Sequence, residues 1–208
     1  MFIDTDTASD DAVALVMALR HPAVDVVGIG IVAGNVPLDQ AVQNALYTVE
    51  LCGTSTPVHA GAAAPLTRPL RTAQFVQGED GMGDIGLPVH GRTPAPGHAV
   101  DLLVEQVMAS RPGELTLVTL GPLTNVAMAL VREPRLRDAI PEIVLMGGAH
   151  ATGNVSATAE FNIWGDPEAA HVVLASGVRK ITLVPLDATH RALVSLDDCR
   201  RLRALGTP

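Results

Sequence analysis

Short apolar runs recur along the chain, and the segments between them carry apolar residues at helical spacing. "FIDTD" (2–6) predicts a strand. "DDAVALVMALRH" (10–21) predicts a helix, with Ser9 as its N-cap and two aspartates in its first turn. "VVGIGIVAG" (26–34) predicts a second strand, followed by a helix over Leu38–Cys52, and "TPVHAGA" (56–62) a short third strand. "LTLVTLG" (115–121) predicts a strand and "PLTNVAMALVRE" (122–133) a helix with proline near its first position. The pattern then repeats: strand "EIVLMGG" (142–148), helix "DPEAAHVVLASG" (166–177), strand "KITLVPLD" (180–187) and the Ser-capped helix "SLDDCRRLRAL" (195–205).

Strands alternating with helices predict an open, mostly parallel, doubly wound α/β sheet, here as one domain over 1–208. Two long irregular stretches, Ala62–Gly97 and Gly148–Trp164, both follow strand ends. Open α/β sheets bind ligands beyond the C-terminal ends of their strands, so these stretches are the places to look for a site.

Composition narrows the function. Of 208 residues 48% are hydrophobic, with a mean hydropathy of +0.30, enough for one sizeable core. Aromatics are only 2%, so Ala, Val, Leu and Ile must fill it. Charged residues are 17%, below the usual share of about 25%, which predicts a surface that is small or partly covered by a partner subunit. Net charge is −8 and Lys180 is the only lysine; with no basic run, nucleic-acid binding is excluded. No apolar run reaches the roughly 18 residues of a membrane span, and "MFIDTD" shows no leader, which predicts a cytoplasmic protein with no membrane partner. Cys52 and Cys199, far apart and without CxxC spacing, read as reduced core residues on helices.

The chemistry concentrates in four stretches. "DTDTASDD" places Asp4 and Asp6 on one side of a strand, with Asp10 and Asp11 opening the next helix. Four such acids repel one another unless a cation, a hydrogen-bond network or a helix N-terminus offsets them, and hard divalent cations take oxygen ligands of this kind. "IVAGN" ends at Asn35, and "TLGPLTN" (119–125) is a strand-to-helix junction whose kink can aim a carbonyl at a metal. "LMGGAHATGNVSATAEFNIWGDPEAA" gathers Asn154, Glu160 and Asn162 beside a double glycine, a density of amides and acids suited to a polyol.

Taken together and in order, "DTDTASDDAVAL", "AGN", "LGPLTNVAMAL", "LMGGA…TGN…AEFNIWGDPEAA" and "PLDATH" resemble the inosine-uridine-preferring nucleoside hydrolase family over nearly the whole chain. The resemblance implies an open α/β fold, one bound Ca²⁺, hydrolysis of the N-glycosidic bond of a small-molecule ribonucleoside, and assembly as a homodimer or homotetramer. By the same resemblance Asp6 is the general base and touches the metal site, Asp11 is a Ca²⁺ ligand, and the Leu120 carbonyl is another. Asp10, Asn35, Asn154, Glu160 and Asn162 bind ribose, Met146 lines the pocket, and Asp4 supports the acids around it. Such groups suit the reaction, because cleavage builds positive charge on the ribose ring and carboxylates around it stabilise that charge.

Two departures qualify the match. In "FVQGEDGMGD", Gln77 stands where the family often has His; it can hydrogen-bond a base but does not titrate near neutrality. The family also continues beyond "RLRALGTP" to a His-Asp pair that supplies a further Ca²⁺ ligand and a leaving-group acid. A chain truncated at its C-terminus is therefore expected, with His190 a structural residue and not the missing acid. Two other functions fit parts of the pattern. One is a non-catalytic nucleoside- or ribose-binding remnant. The other is a haloacid-dehalogenase-type phosphatase using "DTDT", with Asp4 as nucleophile and Lys180 on phosphate.

Overall fold

A computed structural model describes residues 1–206. Its strands are β1 (Phe2–Thr5), β2 (Gly28–Ile31), β3 (Val58–Ala60), β4 (Leu117–Thr119), β5 (Ile143–Met146) and β6 (Ile181–Val184). The helices are α1 (Ser9–Arg20), α2 (Leu38–Leu51), α3 (Gln74–Gln77), α4 (Ala99–Ala109), α5 (Thr124–Arg132), α6 (Leu136–Ala139), α7 (Phe161–Gly165), α8 (Pro167–Leu174), α9 (Leu186–Thr189) and α10 (Leu196–Ala204). Every predicted strand forms. α4 has no counterpart among the predicted elements, although Val100, Leu103 and Val107 stand on one face at helical spacing and are buried.

The six strands form one parallel sheet in the order β3-β2-β1-β4-β5-β6. Alternation along β1 sends Phe2 into a core with α4, α5 and α8, and Ile3 into a second core with α1 and α2. The sheet is thus covered on both faces, as the doubly wound expectation requires. β1 sits between β2 and β4, so strand order reverses there: the chain leaves β1 towards one face and β4 towards the other. The diverging loops leave a crevice at the C-terminal end of the sheet, where such folds bind ligands.

Local details correct two expectations. Ala8, not Ser9, caps α1; the Asp11 carboxylate accepts the Ala8 N–H at 3.0 Å, so an acid one turn in does the work expected of a Ser cap. Cys52 is buried, but Cys199 is exposed on α10, a helix with no buried residue. No helix among the described residues is long and apolar enough to cross a membrane.

Candidate active site

The crevice between the β1 and β4 loops holds Asp6. Its side chain is fully buried between two glycines: a Cβ on Gly34 would fall 2.2 Å from Asp6 Oδ2, and one on Gly121 2.7 Å from Oδ1. The Asn35 N–H donates to Oδ2 at 2.6 Å, and Oδ1 has no partner. Burial first, and the neighbouring Asp11 second, push the Asp6 carboxyl well above the usual range. Asp11 Oδ1 accepts the Thr5 hydroxyl at 3.0 Å, with Oδ2 on Ala8; burial and then Asp10 raise its pKa to about 7. Asp10 is exposed.

Asp4 departs from its expected role. It turns towards α5, where Asn125 Nδ2 donates to Oδ2 at 2.9 Å; Oδ1 is unpartnered and burial raises its pKa to about 7. Asn125 also donates to the Ile31 carbonyl and accepts the Ala62 N–H, so Asp4 belongs to a clasp joining β1, β2 and the loop after β3. The four acids therefore do not converge on one point.

Above Asp6 opens a cavity of about 430 Å³, a volume suited to a small molecule. Asp10, Asp11, Asn35, Gln77, Leu120, Met146, Asn154, Glu160 and Asn162 all line it, drawn from the ends of β1, β2, β4 and β5 and from the two irregular stretches. Of the candidate residues, Asp4 and Asp6 do not line it, and Asp6 lies beneath the floor. Glu160 caps α7: Oε1 accepts the Asn162 N–H at 2.9 Å, and Oε2 accepts the Gly148 and Ile163 N–H groups at 2.9 and 3.1 Å. Asn162 Nδ2 donates to the Leu120 carbonyl at 2.7 Å and the Met146 carbonyl at 3.2 Å. Gln77 Oε1 accepts the Ser9 hydroxyl at 3.0 Å, tying α3 to the start of α1.

The cavity also takes residues the sequence did not single out: Ala14, Phe161, Leu186, Thr189 and His190. His190 is thus a pocket residue, contrary to the structural role expected of it. The signal available was position, since "PLDATH" follows a strand end.

The donors fit a hard cation in kind. Asp6, Asp11 and the Leu120 carbonyl offer only oxygens, and Asp6 Oδ1 is a buried acceptor with nothing to accept. They fall short in number: among the described residues no three His, Cys, Asp or Glu side chains converge on a metal position. The phosphatase alternative fails on placement. Asp4 is sealed against Asn125, and Lys180 pairs with Glu142 at 2.9 Å, just before β6 and at the opposite end of the sheet.

Comparison with known proteins settles the family. The sequence profile of the inosine-uridine preferring nucleoside hydrolases matches residues 1–208. The chain belongs to this family. It is 42% identical to the inosine-uridine preferring nucleoside hydrolase of Leishmania major, and equally to the pyrimidine-specific ribonucleoside hydrolase RihB of Escherichia coli. In both comparisons all of the chain matches 66% of the relative, so it spans about two thirds of their length. Among solved structures, the purine-preferring ribonucleoside hydrolase from Gardnerella vaginalis matches with a TM-score of 0.93 and 35% identity, covering 99% of the chain and 66% of that structure. The plant nucleoside hydrolase PpNRh1 matches with a TM-score of 0.86 and 40% identity, covering 91% and 60%. The nucleoside hydrolase fold expected from the motifs is the fold observed.

Proposed function

We propose that this chain forms the sugar- and cation-binding part of a Ca²⁺-dependent ribonucleoside hydrolase, which releases ribose and a free nucleobase. One observation carries the proposal: a single cavity at the point where strand order reverses gathers eight of the ten residues that the family resemblance picked out, all but Asp4 and Asp6, together with Gln77. Asp6, Asp11 and the Leu120 carbonyl would hold the cation, which, when bound, orients a water and lowers its pKa.

The chain's own groups have distinct tasks. Asp6 Oδ1, the buried unpartnered acceptor, takes the proton of the attacking water. Asn35 fixes that carboxylate by its N–H bond to Oδ2. Three backbone N–H groups hold Glu160 in place, and its negative charge faces the ribose ring as positive charge develops there. Asp10, Asn154 and Asn162 present acceptors and amides to the sugar hydroxyls. Gln77, hung between α3 and Ser9, contacts the base. The active unit is a homo-oligomer, and size-exclusion chromatography with light scattering checks this.

Asp6→Ala tests the mechanism. Base release from uridine or inosine should fall by about 10²–10⁴-fold, the usual contribution of a positioned base, with the circular dichroism spectrum unchanged. Retained hydrolysis would refute the assignment. One observation favours binding without turnover: the cation donors are few and Asp6 lies below the cavity floor. Calorimetric binding of nucleoside with no reducing sugar formed would establish that reading instead.

A further inference from the structure

We propose a second binding site, for a planar aromatic ring bearing an anionic group, with nucleoside monophosphates as the fitting class. It lies beside the cavity already described, at the C-terminal end of α7. Trp164, the only tryptophan in the chain, stands in the last turn of α7 beside Arg68, Pro69, Arg71 and Gly165, which together line a groove of about 270 Å³.

Each component has a distinct chemistry. The indole is partly exposed and offers a face on which a base can stack. Arg68 is engaged by Glu168 in a two-pronged pair at 2.7 and 2.9 Å, so its charge is offset and its position fixed. Arg71, by contrast, makes no hydrogen bond or ion pair among the described residues, leaving its guanidinium available to a phosphate. The supporting loop is anchored at both ends: the Leu66 N–H donates to buried Asp166 at 2.8 Å, and the Ala73 N–H to the Asn35 carbonyl at 2.9 Å.

Charge separates the two sites. The main cavity presents Asp10, Asp11 and Glu160 to any occupant, and the chain carries −8 overall, so a phosphorylated nucleoside is repelled there. At the Trp164 groove the one unpaired charge is positive. The two sites touch through aromatic contact: Phe161 lines the cavity, and its ring centroid lies 6.3 Å from that of Trp164. Occupancy of the groove does not depend on whether the cavity hydrolyses nucleosides.

The lone tryptophan reports directly. Indole emission, excited beyond the absorption of the bases, is followed while AMP or UMP is added, with adenosine, uridine and inorganic phosphate as separate titrants. The expected result is saturable quenching by the monophosphates at about 1 mM or below, and at least about tenfold weaker response to the nucleosides and to phosphate alone. Arg71→Ala, at an exposed position, should weaken monophosphate binding about tenfold, and Asp10→Asn should leave it unchanged. The proposal is overturned by any of four results. These are no saturable quenching by about 10 mM, equal response to nucleoside or phosphate alone, unchanged affinity in Arg71→Ala, or loss of binding in Asp10→Asn, which would move the ligand to the main cavity.

Discussion

Without a bound cation, this fold should gain stability as pH falls from about 7.5 to about 5. The cause is the burial of Asp4, Asp6 and Asp11, three carboxyls that the folded chain holds away from water. In the unfolded chain each ionises near its ordinary value of about 3.9. In the folded chain Asp4 and Asp11 keep their protons up to about 7, and Asp6 shifts the same way. Between those values the folded state binds more protons than the unfolded state. The stability these acids supply is complete below about pH 4 and is lost as pH rises through about 7. Each acid changes stability by about 1.4 kcal/mol per pH unit, so Asp4 alone accounts for about 3 kcal/mol between about pH 5 and 7. Asp11 adds a similar amount, and the pair approaches the whole net stability of a small domain, about 5–15 kcal/mol. The exposed acids held low by arginines, such as Glu133 at about 2 beside Arg135, act in the opposite sense only at lower pH. Ca²⁺ should restore stability at about pH 7.5 by favouring charged Asp6 and Asp11, and should do little at about pH 5, where protons compete with it. Asp4 faces Asn125, away from the donors, so its share should persist with Ca²⁺ present. Urea unfolding followed by circular dichroism, with EDTA or with Ca²⁺ across this range, measures both effects. A cation-free stability that stays flat or rises from pH 5 to 7.5 would refute the reasoning, as would a Ca²⁺ effect independent of pH.

Two further substitutions probe the frame around the site. Gly34→Ala puts a Cβ 2.2 Å from Asp6 Oδ2 and 2.8 Å from Pro122, and should cost about 1–3 kcal/mol while abolishing the Ca²⁺-dependent rise in Tm; an unchanged Ca²⁺ response would show that Asp6 is not a donor. Asp166→Ala removes the acceptor of the Leu66 N–H, the Thr124 hydroxyl and the Ala169 N–H, and should cost about 3 kcal/mol or more by urea denaturation; a loss below about 0.5 kcal/mol would show that water replaces all three bonds.

Where the sequence was legible, a local rule and the global fold agreed. The apolar run predicted β1, and alternation placed Asp4 and Asp6 on one side of the strand, the same alternation that sends Phe2 and Ile3 into different cores. Periodicity cannot show that the same side holds different neighbours at successive positions. Asp4 meets Asn125 of α5, 121 residues away in sequence, while Asp6, past the strand end, meets two glycines. The N-cap of α1 was misread because Ser9 is the usual capping type, whereas the bond that closes this turn comes from Asp11 across the backbone. His190 was undervalued for a similar reason: only the stacking of β6 at the sheet edge brings its segment back over the cavity.

The cavity divides into a fixed floor and an open rim, and the division assigns different tasks to different residues. Asp6, Asp11, Glu160 and Asn162 are all buried, and each is held by backbone groups: N–H donors for the three acids, carbonyl acceptors for the amide. Moving any one of them breaks bonds that also hold the ends of β1, β4 or β5, so the floor can change little without loss of stability. Asp10, Asn154 and His190 are exposed, and among the described residues the Gln77 side chain is tied only by the Ser9 hydroxyl. Rim residues can be exchanged at small cost. The invariant part of any ribonucleoside is its sugar, and the variable part is its base. Under the function proposed above, the rigid floor, with Asp10 and Asn154 at its edge, suits the ribose, and the rest of the rim, Gln77 and His190, suits the base. Under that proposal base preference is set at Gln77 and His190, and exchanging either should change the ratio of uridine to inosine turnover while leaving the free energy of urea unfolding within about 0.5 kcal/mol.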